Sequence, residues 1–193
     1  MDGNIQPKVI LAGGTGFLGR RLQRVFAGMG YEVVVLSRTP EEVRAPARGV
    51  AWDPSKFGPW TKELEGASAV VNLAGKDVNC RHTKANREAI LKSRINSVRA
   101  LAEAVRRCAH PPEVWVQAGS LSIYGDAGPL WCDETAPVGE GFGPEVCRKW
   151  ESAFFKAPMP VKRRVLLRTG FVLGNDGGAL PVLGRLAKWF AGV

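Results

Sequence analysis

Between an apolar stretch, Lys8–Ala12 (KVILA), and a segment of helical spacing lies the run AGGTGFLG. Its glycines fall at positions 13, 16 and 19, a GxxGxxG pattern, with Gly14 as an additional glycine. That pattern restricts the chain to a strand that turns sharply into a helix. Gly13 permits the tight turn, Gly16 leaves the backbone open to a close ligand, and Gly19 lets the helix pack tightly on the strand. The helix start, reached through Thr15, Phe17 and Leu18, then offers N–H groups and the positive end of the helix dipole. The chemistry that fits is a pyrophosphate, so Gly13, Gly14, Thr15, Gly16, Phe17, Leu18 and Gly19 are read as dinucleotide-binding.

The rest of the chain repeats the alternation. Leu18, Leu22, Val25, Phe26 and Met29 step at helical spacing, and Gly30 is placed to end that helix in a left-handed conformation. Glu32–Leu36, Gly49–Trp52, Ala69–Leu73, Val114–Ala118 and Val165–Thr169 read as further strands. A long helix carries Leu91, Ile95, Val98, Ala102 and Val105 on one face, and Glu145–Phe155 reads as another helix. Near-continuous apolar strands separated by helices imply a parallel sheet covered on both faces. Right-handed crossovers lead to a doubly wound α/β fold of strand order 3-2-1-4-5-6, a Rossmann domain spanning 1–193.

Strand two runs into Ser37 and Arg38, where an NAD-preferring site carries Asp or Glu for the ribose hydroxyls. A guanidinium there can grip a 2′-phosphate in a bidentate manner, and a carboxylate would repel it, so the expected cofactor is NADP(H). The net charge of +9 suits a polyanionic ligand. The charge is spread over helical and strand patterns: Arg81–Arg107 holds eight basic and two acidic residues, and Arg148–Arg168 seven and one. No basic-aromatic interleaving accompanies it, so no nucleic-acid partner is expected. No apolar run approaches the roughly 20 residues of a membrane span. Cys80, Cys108, Cys132 and Cys147 are scattered without CxxC or His pairing, so no metal site is expected, and free thiols in a reducing cytoplasm are.

Taken together, GGTGFLG, LSR after strand two, NLAG (Asn72–Gly75), SRIN (Ser93–Asn96) and RTGFVLGNDGGAL (Arg168–Leu180) resemble the epimerase-family proteins of the atypical extended short-chain dehydrogenase/reductase group. The resemblance covers essentially the whole chain. It implies that Ser37 and Arg38 bind the adenosine end of NADP. It implies that Leu73, Ala74 and Gly75 line the cofactor, that Arg94 borders the site, and that Val172 contacts the nicotinamide end. Arg94 also sits at the edge of the helical stripe bearing Leu91 and Val98, which directs it along the domain surface.

Catalysis in the family uses a Ser or Thr after strand five, with Tyr and Lys spaced as YxxxK. GSLSIYG resembles the SSxxVYG segment and places Ser120 at the serine position, with Tyr124 four residues on. YxxxK is absent: matching KWE to the family's helix puts Gly143 at the tyrosine and Cys147 at the lysine, and Lys149 is two residues off register. Ser120 and Tyr124 are therefore the catalytic candidates. Two functions stay open. One is an NADP(H)-dependent oxidoreductase or nucleotide-sugar-epimerase-like enzyme transferring hydride to an unknown small molecule; the other is an NADP(H) sensor without turnover. Family members carry a C-terminal substrate-binding portion, and this chain stops at Trp189–Val193 within an apparent helix, so that portion is expected to be largely missing. Self-association is left open.

Overall fold

In the computed structural model, residues 6–189 are described; the expected helix ending at Val193 lies partly outside them. Six parallel strands form one sheet: β1 (Lys8–Ala12), β2 (Glu32–Ser37), β3 (Arg48–Ala51), β4 (Ala69–Asn72), β5 (Val114–Ser120) and β6 (Arg163–Thr169). Their order is β3-β2-β1-β4-β5-β6, as the alternation of the sequence requires. Strand order reverses between β1 and β4, and ligands of such sheets bind at that crevice, outside the carboxyl ends.

Helices cover both faces. α1 (Phe17–Gly28) lies on one side, and α2 (Lys84–Arg106) and α3 (Phe142–Lys156) on the other. Val9, Leu11, Val33, Val35 and Val71 meet Leu22 and Phe26 of α1. Ile10, Val34, Leu36, Val70 and Trp115 meet Val98, Leu101 and Val105 of α2 and Trp150 and Phe154 of α3. β1 and β2 are apolar at successive positions because both of their faces are roofed. Gly30 takes φ +86°, the left-handed geometry foreseen after α1. At the start of α2, the Thr83 side chain accepts from the Asn86 N–H, which satisfies one of the orphan donors of the first turn.

Several boundaries differ from the sequence reading. β3 ends at Ala51, one residue before Trp52, and α3 starts at Phe142, three residues before Glu145. β6 begins two residues early, at Arg163. After β6 come a short antiparallel hairpin, β7 (Leu173–Gly174) and β8 (Gly177–Gly178), and a helix α4 (Leu180–Lys188). Among the described residues, no helix is long and apolar enough to cross a membrane.

Candidate cofactor-binding site

The turn from β1 into α1 is built from backbone. Gly13 has φ +74°, and a Cβ there would lie 2.7 Å from Ala74 Cα, so the turn closes against the end of β4. A Cβ on Gly19 would lie 2.0 Å from the Gly14 carbonyl oxygen, so only glycine lets α1 come this near. Position 16 is different: a Cβ there meets nothing within 4 Å. Two long side chains of α1 reach back to hold the loop carbonyls. Gln23 Nε2 donates to Gly14 O at 2.8 Å, and Arg20 Nη1 to Thr15 O at 2.8 Å. With those carbonyls engaged, the N–H groups at the start of α1, which lack intrahelical acceptors, are the polar groups left for an anion.

A cleft of about 720 Å³ opens beside this turn. Gly13, Thr15 and Gly16 line it on one side; Ser37 and Arg38 line it at the end of β2; Leu73, Ala74 and Gly75 line it at the end of β4. Eight of the residues read from the sequence as cofactor-binding are thus brought together. Gly14, Phe17, Leu18 and Gly19 shape the turn without lining the cleft. Gly14 packs on Leu11 and Val35, and the Phe17 ring faces the β7–β8 hairpin.

At the adenosine end the two candidates behave differently. Ser37 is buried, and its hydroxyl accepts the Thr39 N–H at 3.1 Å, so it shapes the turn. Arg38 is exposed, and among the described residues no carboxylate pairs with it. Trp52, read from the sequence as the last residue of a strand, comes just after β3 and forms part of the cleft wall with Pro54.

The NLAG turn is fixed from below by a network the sequence reading missed. Asn72 is fully buried; its amide donates to Ser97 Oγ at 3.1 Å and Gln117 Oε1 at 3.0 Å, and its carbonyl oxygen accepts the Ala74 N–H at 3.1 Å. A buried amide with three partners locks a backbone direction. The only sequence signal was polar residues inside otherwise apolar runs on β4, α2 and β5. Lys76, Asp77, Ala89 and Ser93 complete the wall and were also missed, because they converge from a loop and a helix.

Arg94 stands behind this wall. A Cβ on Gly75 would lie 3.1 Å from its Cζ, its Nη1 donates to Lys76 O at 3.0 Å and Ile90 O at 3.1 Å, and it lies over the Trp150 ring at 5.2 Å. Desolvation holds its pKa below the usual arginine value. Among the described residues it has no carboxylate partner. A partly desolvated cation with no carboxylate at salt-bridge distance among the described residues, and only the longer-range charge of Asp77 opposing it, is suited to an anionic or carbonyl-bearing ligand.

At the far end of the sheet, Ser120 closes β5 opposite Thr169 of β6. Its hydroxyl accepts the Ser122 N–H and donates to Ser122 Oγ, both at 3.1 Å, and it is half-exposed. Tyr124 is placed otherwise than the sequence suggested. It is 8% exposed, its hydroxyl donates to Asp133 O at 2.7 Å, and it accepts from Arg168 at 2.8 Å. Its proton is engaged in holding a loop, and the phenol does not line the cleft. Position 143 does face this segment, since a Cβ on Gly143 would meet Ser122 Cβ at 3.6 Å, but glycine brings no proton donor. Cys147 is buried among Ile123 and Tyr124, and desolvation, reinforced by Glu151, pushes its thiol pKa up. A neutral thiol cannot do the work of a lysine ammonium. Val172 is half-buried, between β6 and the hairpin.

A glycine turn opening a helix, an arginine after β2 and a cleft at the reversal of strand order are the parts from which a dinucleotide site is built. The model of the NAD dependent epimerase/dehydratase family matches residues 9–143. The chain belongs to that family. The epimerase family protein SDR39U1 of Bos taurus is 33% identical over 177 residues, 90% of this chain and 57% of the relative. The chloroplastic SDR39U1 homolog of Arabidopsis thaliana is 33% identical over 194 residues, covering 97% and 55%. Among solved structures, human SDR39U1 (isoform 2) with NADPH superposes with a TM-score of 0.78 at 30% identity, covering 94% of this chain and 60% of that one. The family member thus spans a little over half the length of these curated relatives.

Proposed function

We propose that this chain is the cofactor-holding part of an NADP(H)-dependent oxidoreductase or epimerase-like enzyme that works by hydride transfer on a small molecule. The observation that carries this reading is Arg38, without a carboxylate partner among the described residues, at the rim of a cleft whose floor is the glycine turn. The residues fit such a cofactor: the open space at Gly16 admits a pyrophosphate, and Arg38 can take the 2′-phosphate. The NADPH present in the human relative supports the choice. When bound, the cofactor would supply or accept the hydride.

The chain's own residues have narrower tasks. The first turn of α1 binds the phosphates, the Asn72 network holds Leu73–Gly75 against the cofactor's flank, and Arg94 supplies a fixed positive charge beside it. Ser120, half-exposed at the carboxyl end of β5, is the hydroxyl that would turn from Ser122 Oγ to a substrate oxygen, because Tyr124 is buried with its proton held by Asp133. A second reading, an NADP(H) sensor, is favoured by one observation: glycine and a neutral cysteine occupy the positions of the family's proton-handling pair.

Titration of NADPH and NADH tests the cofactor. NADPH binds at least about tenfold tighter, a difference near 1.4 kcal/mol, and Arg38→Asp erases or reverses the preference. Equal affinities overturn the reading. Turnover separates enzyme from sensor: Ser120→Ala slows hydride transfer by about a hundredfold with NADPH affinity unchanged, the scale of losing one positioned donor. Turnover undiminished in that variant removes Ser120 from the mechanism.

A further inference from the structure

The family resemblance places Val172, in the segment after β6, at the nicotinamide end, but says nothing of what fastens that segment to the rest of the fold. β6 is three strands away from β1 in the sheet, a span of about 14 Å at ordinary strand spacing. Yet the hairpin that follows β6 rests on the first residue of α1, at the carboxyl end of β1. A Cβ on Gly174 would lie 2.4 Å from the Phe17 ring, one on Gly177 2.4 Å, and one on Gly178 3.3 Å. Three glycines therefore form a bed that the ring fills. Asp176, in the hairpin turn, receives Arg21 at 2.8 Å and has Arg24 at 3.9 Å, both from α1. Ala179 N–H closes the hairpin onto Val172 O at 2.9 Å.

Residues Gly170–Val172 must then pass over the carboxyl ends of β5 and β4 to reach this anchorage. That is the path of the nicotinamide half of a dinucleotide whose pyrophosphate lies on the glycine turn. We infer that Phe17, seated in the glycine bed of the β7–β8 hairpin, and Asp176, paired with Arg21, are positioning residues that clasp the post-β6 segment across the nicotinamide half of the cofactor. This rests on the cofactor reading above. The ring is the main fastener, because the Arg21–Asp176 pair is half-exposed and such pairs are weak and screened by salt. The clasp explains why a loop rich in glycine stays on α1: Gly177 needs glycine only to make room for the ring.

The test uses two ligands that share the adenosine and phosphate contacts and differ in the nicotinamide end: NADPH and 2′-phospho-ADP-ribose. Gly177→Val pushes a branched side chain into the Phe17 ring, and Asp176→Lys places a cation against Arg21 and Arg24. In Gly177→Val NADPH affinity falls by about tenfold or more and in Asp176→Lys by a smaller factor of about threefold, while 2′-phospho-ADP-ribose stays within about twofold of wild type in both. Amide exchange of residues 173–178 accelerates, and the circular dichroism spectrum is unchanged. Unaltered NADPH affinity in both variants overturns the clasp, and so does an equal loss for both ligands, which would mean that the hairpin only props the glycine turn. A wild-type chain that binds neither ligand overturns the cofactor reading itself, and the clasp with it; wild-type binding of both leaves the clasp to be judged on the variants alone.

Discussion

A side chain at position 16 would project into open space, whereas one at position 19 would meet the Gly14 carbonyl at 2.0 Å. The same residue type thus has two different reasons to be there. Position 19 is needed by the fold; at position 16 the fold itself makes no demand, and the proposed pyrophosphate would. Gly16→Val is expected to keep the native circular dichroism spectrum and thermal midpoint and to abolish NADPH binding; retained tight binding shows that the phosphates lie elsewhere. The glycine spacing could be read in advance because turn, phosphate approach and helix packing each require a missing Cβ at a fixed offset. Tyr124 could not. Its place in the SSxxVYG-like segment suggested a proton donor, and only the partners of its hydroxyl, Asp133 and Arg168, show a strut. Asn72, Ser97 and Gln117 were equally silent, since their spacing in the chain gives no hint that three polar groups from three elements meet.

Strands and long helices announce themselves by apolar period, and β1, β2, β4 and α2 lie within a residue or a few of where that period places them. The β7–β8 hairpin gives no such signal: LGNDGG has one apolar side chain, and its order comes from Phe17 across the sheet. A second long-range tie joins α3 to β6. Arg168 grips Glu151 through two bonds, at 3.0 and 2.9 Å, with side chains only 20% and 10% exposed. Arg168 also holds Tyr124, so one guanidinium couples β6, α3 and the loop after β5. Glu151 holds its pKa above the usual arginine value. Breaking a largely buried pair from one side leaves the other charge stranded. Glu151→Ala is therefore expected to destabilise the fold by about 3 kcal/mol, read from urea midpoints at constant slope. A change below about 0.5 kcal/mol, the range of ordinary surface substitutions, would show that Arg168 finds water or another partner.

Over the whole molecule, the net charge is +9, and the ligand proposed for the cleft is a polyanion. Steering of that kind acts on encounter and is screened within about 8 Å at physiological salt. The association rate of NADPH is expected to fall steeply as KCl is raised, with the dissociation rate changing less, in stopped-flow fluorescence; a flat association rate removes the steering. The sequence by itself determined the doubly wound sheet, its strand order and the glycine turn, because each follows from local periodicity and glycine offsets that a short stretch of chain carries complete. Tertiary structure decided which of the named residues face the cleft. It put Arg38 at the rim with no carboxylate partner among the described residues, tied down Tyr124, added Trp52 and the Asn72 network, and laid the hairpin on Phe17. Those outcomes depend on contacts between residues 9 to 160 positions apart, and a side chain's partners at that range are set by how whole elements pack.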